Sequence, residues 1–281
     1  MRLGWITDPH LDHLRVFGAA GAFGEAIRSE FEFDALVVTG DIATAPTLKN
    51  LLYEFAQAVG GPVYFVLGNH DFYDGSIRQV RRMAPSLSKL AGLSWLDRAG
   101  PVVLDDQTVL VGLGGWADAS CGTPHEARFT MTDWRVIKEF RDLGVSNYDL
   151  MVGVRQPFID KSKRLGKTAA RMARGPLEAA LKLRKDVVFA THYPPFREAC
   201  WHEGKPSDDT WAPWFTSIAM GEMLAQVAAA HPENRITVLC GHTHGEGFYQ
   251  HSDNLAVFTG KAQYGRPDVN EVFEFPIRWP V

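Results

Sequence analysis

The sequence predicts an α/β fold built as a two-sheet β-sandwich flanked by helices, with helical and loop insertions. In the first third, short apolar runs alternate with helical patterns, as parallel βαβ units do. The runs are nearly all apolar, as in strands covered on both faces. Five of them, LGWIT, ALVVT, VYFVL, DVVFA and ITVLC, close on short polar motifs. In open α/β sheets ligands bind at the carboxyl ends of the strands, so these motifs mark the working edge.

Taken in order, a strand at 2–7 leads to a helix near 21–30, a strand at 35–40 to a helix near 47–59, and a strand at 63–67 to a helix near 76–91. Residues 102–105 and 108–113 read as a hairpin around Asp105-Asp106-Gln107. Further strands fall at 186–190, 235–240, 255–260 and 271–277. The scheme breaks at 117–180, which has much charge and little strand signal. There Phe158, Leu165 and Met172 recur at sevenfold spacing, predicting one buried helical stripe, and Gly175-Pro176 is expected to end that helix. A second polar insertion, 197–215, carries Trp201, His202, Lys205, Trp211 and Trp214. With no internal repeat and no flexible linker, one domain over 1–281 is expected, with 117–180 and 197–215 as caps beside the motifs.

Composition bounds the function. The chain is long enough to bury a full core. A net charge of −4, from 29 basic and 33 acidic residues, argues against nucleic-acid binding over a broad basic surface. Cys121, Cys200 and Cys240 are odd in number and far apart, which excludes a zinc ribbon and a disulfide framework and fits a reducing compartment. Cys240, closing an apolar strand, reads as a small core residue. The apolar opening MRLGWIT is too short for a signal peptide, and no run approaches the ~20 apolar residues of a membrane span. A cytoplasmic protein with no membrane partner is expected.

The motifs are Asp8-Pro9-His10, Gly40-Asp41, Gly68-Asn69-His70-Asp71, Thr191-His192 and Gly241-His242-Thr243-His244. They offer Asp8, His10, Asp41, Asn69, His192, His242 and His244 as metal ligands. All are oxygen or imidazole donors, which suits Mn, Fe, Zn, Ni or Co and disfavours soft thiolate chemistry. Seven ligands are too many for one tetrahedral ion and suit two ions with a bridging carboxylate. Asp41, from a strand expected to lie centrally, is the natural bridge. Two ions about 3.5–4 Å apart can clamp both oxygens of an in-line displacement. Residues two apart in an extended segment point the same way, so Asp8 with His10, and His242 with His244, can reach adjacent ions. Gly40, Gly68 and Gly241 permit tight turns with positive φ beside the ligands.

The order D-x-H, GD, GNHD, H, GHxH resembles the calcineurin-like metallophosphoesterase superfamily, with all five motifs intact across 8–244. The resemblance implies a β-sandwich flanked by helices. It implies one ion on Asp8, His10, Asp41 and His244, another on Asp41, Asn69, His192 and His242, and His70 near the leaving group as an acid. Ile42-Ala43-Thr44-Ala45 follows Gly40-Asp41 where the family's protein Ser/Thr phosphatases carry an arginine-bearing extension. That argues against a phosphoprotein phosphatase and towards the phosphodiesterase-like bacterial branch. Gly115-Trp116-Ala117-Asp118 resembles a Trp-x-Asp element of bacterial relatives and names no substrate.

The expected function is hydrolysis of a small phosphodiester, phosphomonoester or nucleotide. Water activated between two ions attacks phosphorus in line and His70 protonates the departing oxygen. A DNA nuclease of the same fold is an alternative, and a non-catalytic scaffold ranks last because no ligand is missing. Asp71, grouped with His70 as a catalytic candidate, either orients His70 or caps the following helix. Asp12 and His13 stand either behind the first ligands or in solvent. The tryptophans at 201, 211 and 214 read as core or interface. Segment 155–186 holds ten basic and three acidic residues and reads first as a solvated helix, second as a lid for an anionic substrate.

Overall fold

The computed structural model describes residues 1–14, 16, 18–90, 92–146, 148–149, 153 and 155–280. Residues 147, 150–152 and 154 of the first expected insertion lie outside the described residues. The strands among the described residues, in chain order, are β1 (Arg2–Ile6), β2 (Ala35–Thr39), β3 (Val63–Val66), β4 (Leu93–Trp95), β5 (Val102–Val103), β6 (Thr108–Gly112), β7 (Asp186–Ala190), β8 (Trp201–His202), β9 (Lys205–Pro206), β10 (Arg235–Cys240), β11 (Gly247–Ser252), β12 (Leu255–Thr259) and β13 (Glu271–Glu274). One sheet has the order β13-β1-β2-β3-β4 and the other β11-β12-β10-β7-β6-β5, while β8 and β9 form a small hairpin. Strands β1 to β4 pair in parallel, as do β6, β7, β10 and β12, and the antiparallel strands β13, β11 and β5 close three of the four edges.

The apolar runs are explained by burial on both faces. Leu3, Val37, Leu110, Val188 and Leu239 meet between the two sheets. Their neighbours Ile6, Leu36 and Val38 point the other way, into the helices Ala19–Glu30 and Leu48–Val59. Each such side chain contributes about 1.5–3 kcal/mol by burial. On the second sheet the helices Gln156–Leu183 and Ile218–Ala230 cover the outer face. The hairpin β5–β6 turns where Asp105 Oδ1 accepts from the backbone N–H of Gln107 (2.9 Å) and Thr108 (2.8 Å).

Three sequence expectations fail on tertiary grounds. The helix from Gln156 does not end at Gly175-Pro176 but runs to Leu183. Pro176 costs it a hydrogen bond, which is offset because Leu177, Ala180 and Leu181 continue the buried face. That face steps through Phe158, Ser162, Gly166, Ala169 and Ala173, whereas Met172 is exposed and Leu165 half-buried. Small residues are needed there, since a Cβ at Gly166 would come within 2.5 Å of Asp118 Cβ. Strands β4 and β11 were not expected: β4 is three residues long, and β11 is a half-exposed polar edge strand without an apolar run.

The Trp-x-Asp element is structural. Asp118 Oδ2 accepts from Ala219 N–H at 2.6 Å, in the first turn of Ile218–Ala230, and Trp116 packs on Phe72, Phe140 and Tyr193. Among the described residues, no helix is long and apolar enough to cross a membrane.

Candidate metal centre

Strands β1, β2, β3, β7 and β10 deliver their polar motifs to one end of the sandwich. Asp8, His10, Asp41, Asn69, His192 and His242 are all buried, and His244 is partly so. Ligand atoms fall into three overlapping groups, each within 4.8 Å: Asp8–His10–His244, His10–Asp41–His70 and Asp41–His192–His242. Asp41 is common to two groups, and β2, which carries it, is the central strand of its sheet. His242 and His244 fall in different groups although only Thr243 separates them.

The local backbone differs from the extended segments anticipated. Asp8 (φ 48°), His10 (φ 40°), Asp41 (φ 50°), His242 (φ 70°) and His244 (φ 58°) all occupy the left-handed region. Such residues cost about 1 kcal/mol or more each and persist where surrounding structure over-determines them, typically at functional sites. Of the three neighbouring glycines only Gly40 has a positive φ. The other two serve close approach: a Cβ at Gly68 would collide with Asp41 Oδ1, and one at Gly241 with Asp8 Oδ2 and Thr7 Oγ1.

Hydrogen bonds set which atoms face inward. His192 Nδ1–H donates to the Thr39 carbonyl (2.8 Å), leaving Nε2 3.3 Å from Asp41 Oδ1 and 3.2 Å from Asn69 Oδ1. Such a carbonyl partner fixes tautomer and ring orientation in metal-ligating histidines. Asp8 accepts from Thr7 Oγ1–H (2.5 Å) and His242 N–H (3.0 Å). His10 Nε2 lies 3.1 Å from His244 Nε2, and His10 Nδ1 is buried with no partner.

The electrostatics fit cations. Burial pushes the Asp8 carboxyl up, but His192 and His244 outweigh it and bring it to about 2. Burial pushes His192 down, yet Asp41 and Asp8 raise it to about 9. His10 and His242 are pushed down to about 4 and 3, chiefly by burial. Two buried carboxylates thus pull a proton onto a buried imidazole because the cluster lacks positive charge. His10 Nδ1, buried with no hydrogen-bond partner, and the facing Nε2 atoms of His10 and His244 add nitrogen ligands to these carboxylates. This donor set fits divalent ions.

His70 stands on the cleft wall. Its N–H donates to Asp41 Oδ1 (2.8 Å), its Nε2 is 3.8 Å from Asp41 Oδ2, and its ring stacks on Tyr73 at 4.1 Å. It faces His10 and Asp41 rather than His192. Asp71 neither touches His70 nor lines the cleft. Its carboxylate accepts from Ile42 N–H (2.9 Å), Ala43 N–H (3.1 Å) and Gly68 N–H (2.8 Å), tying the second motif loop to the third. Burial pushes it up to about 8, above the usual carboxylate range. Asp12 ties the first loop to the second through Thr44 N–H (3.0 Å), and His13 packs on Tyr264.

Several residues of the site carry no motif. The cleft, about 280 Å3, is also lined by Tyr73, Phe129, Met131, Trp211, Phe215 and Tyr264. The first insertion therefore reaches the cleft through 129–132 and the second through Trp211 and Phe215. Among the described residues no lysine or arginine lines the cleft, and 155–186 packs on the second sheet instead. Phe129 stacks on Trp211 at 3.8 Å, joining the two insertions over the cleft. Beneath it, Asn69 Nδ2 donates to Asp133 Oδ1 (2.9 Å) and Tyr73 Oη (3.0 Å), and Tyr73 donates to the same Asp133 oxygen (2.6 Å). Both amide protons are spoken for, so Asn69 Oδ1 is the atom turned towards His192. The segment is anchored by Glu139, which accepts from Ile77 N–H (2.8 Å) and Arg78 N–H (2.9 Å). In sequence Asp133 is one acid in a charged stretch, and only a strand-length apolar run before it would have drawn attention.

The family model for calcineurin-like phosphoesterases matches residues 1–246. No curated protein matches the chain. The fold is similar to that of phosphopantetheinyl hydrolase from Mycobacterium tuberculosis, with 17% identity, 94% of this chain and 89% of that chain covered, and a TM-score of 0.63. It is similar also to a dimetal phosphatase from Danio rerio, with 18% identity, 93% and 87% covered, and a TM-score of 0.55. At these identities the likeness is one of fold.

Proposed function

Because the chain belongs to the calcineurin-like phosphoesterase family, we propose that it hydrolyses small phosphate esters with two metal ions held at this edge. The observation that carries the reading is Asp41, a buried carboxylate shared by two groups of ligand atoms. One ion falls to Asp8, His10, Asp41 and His244, the other to Asp41, Asn69, His192 and His242. Bound there, the ions supply Lewis acidity and an activated water. The chain's own groups do the rest. Thr39 holds His192 in one tautomer, and Asp71 holds the second and third loops in register. Phe129, Trp211 and Phe215 roof the cleft and keep bulk water out. His70 gives a proton to the departing oxygen.

Among the described residues no lysine or arginine lines the cleft, which favours a small ester over a polynucleotide, whose backbone needs Lys or Arg along its track. The bundle of sheet, helices and both insertions is read as one domain, with 129–132 and 201–215 shaping the choice of ester. The test is a screen of chelator-treated protein with phosphomonoesters and phosphodiesters, each with Mn, Fe, Zn, Ni or Mg restored. Metal-dependent release of phosphate or nitrophenol is expected. No turnover with any ion would discard the reading.

Asp133 makes a second expectation. Asp133→Leu frees the Asn69 amide to turn, and loss of such an outer partner weakens metal binding about 10–100-fold. Asp133→Asn keeps an acceptor oxygen and is expected to weaken binding much less. Isothermal titration with Mn(II) checks this by resolving the second binding step. Equal affinities in Asp133→Leu and wild type would remove the positioning role.

A further inference from the structure

A cavity of about 550 Å3 adjoins the metal cleft and shares Trp211 and Phe215 with it. Its volume lies within the range of small-molecule sites. Its other walls include Lys205, Ser207, Asp208 and Thr243. Thr243 sits between His242 and His244, is 5% exposed, and its Oγ1 is buried with no hydrogen-bond partner. Trp211 is 43% exposed, an unusual state for so large an aromatic. It is nevertheless held firmly. Its N–H donates to Asp208 Oδ1 (3.0 Å) and its ring stacks on Phe129, while Phe215 continues the wall to His242 at 4.7 Å.

Resting on the hydrolase reading above, we infer that this cavity takes the retained organic group of a phosphodiester, and that this group is uncharged and flat. Three features decide the class. His70 lines the cleft but not this cavity, so with the departing oxygen at His70 the other ester arm is the one seated here. That makes it the ester arm that stays on phosphorus, which only a diester has. The aromatic wall selects a flat body. Among the described residues that line the cavity, Glu203 and Asp208 face one lysine, Lys205, so a second phosphate finds no excess of positive charge.

The experiment uses metal-loaded protein and three diesters that all release 4-nitrophenolate. These are methyl 4-nitrophenyl phosphate, thymidine 5′-(4-nitrophenyl phosphate), and the same thymidine ester with a 3′-phosphate. Wild type is expected to prefer the thymidine ester over the methyl ester by about tenfold or more in kcat/KM, the scale of one base stacked on an aromatic ring. The 3′-phosphate is expected to lower that advantage. Trp211→Ala should collapse the thymidine-to-methyl ratio about tenfold. Equal kcat/KM for the methyl and thymidine esters, a ratio indifferent to Trp211→Ala, or a preference for the 3′-phosphate overturns the subsite. Turnover of monoesters alone also overturns it and leaves the hydrolase reading standing. No turnover of any ester overturns both.

Discussion

Asp41→Asn is expected to strip the chain of metal and to take ester hydrolysis to background. The carboxylate lies in both the His10–His70 and His192–His242 groups, so on the two-ion reading its charge serves both cations. A shared anion offsets the repulsion between ions about 3.5–4 Å apart, which a neutral amide does not. Losing several kcal/mol of transition-state stabilisation corresponds to a fall on the order of 10³-fold or more. The fold should survive, since Asn keeps an oxygen to accept from His70 N–H. His244→Ala is the control: it removes one imidazole from one group and leaves the second set whole. Metal analysis after desalting should therefore read well below His244→Ala for Asp41→Asn. Equal metal in both variants and wild type would sink the bridging assignment.

His70→Asn is expected to keep both ions and to lose activity unevenly. An acid matters most when the leaving alkoxide is basic, so alkyl esters should slow by about 10²–10⁴-fold and nitrophenyl esters by far less. The structure narrows what supports His70. Asp71 is committed to three backbone N–H groups, leaving Asp41 at 3.8 Å and the Tyr73 ring at 4.1 Å. A uniform loss across leaving groups would make His70 a phosphate-positioning group. Loss of metal would make it a ligand, which the His10–Asp41–His70 grouping also permits.

Most of the sheet strands and all seven candidate ligands were legible because both signals are local. An all-apolar run of five residues reports burial on two faces, and the polar residues that follow it report where the strand ends. β2 is an example: ALVVT is wholly buried, and Gly40-Asp41 follows at once. Helix Gln156–Leu183 was misjudged because the penalty of Pro176 is local while its compensation is packing against the second sheet.

By itself, then, the sequence determined the sandwich, the family and the candidate ligands, since each is written in short segments whose order survives any detail of packing. Tertiary structure alone placed Asp71, Asp133 and Tyr264 at the site. Asp133 meets Asn69 across 64 residues of chain, and Tyr264 reaches His10 from the loop between β12 and β13. Such contacts have no period and no motif. They arise only when loops from different strands close on one another, and that closure also forces five ligand-bearing residues into left-handed backbone.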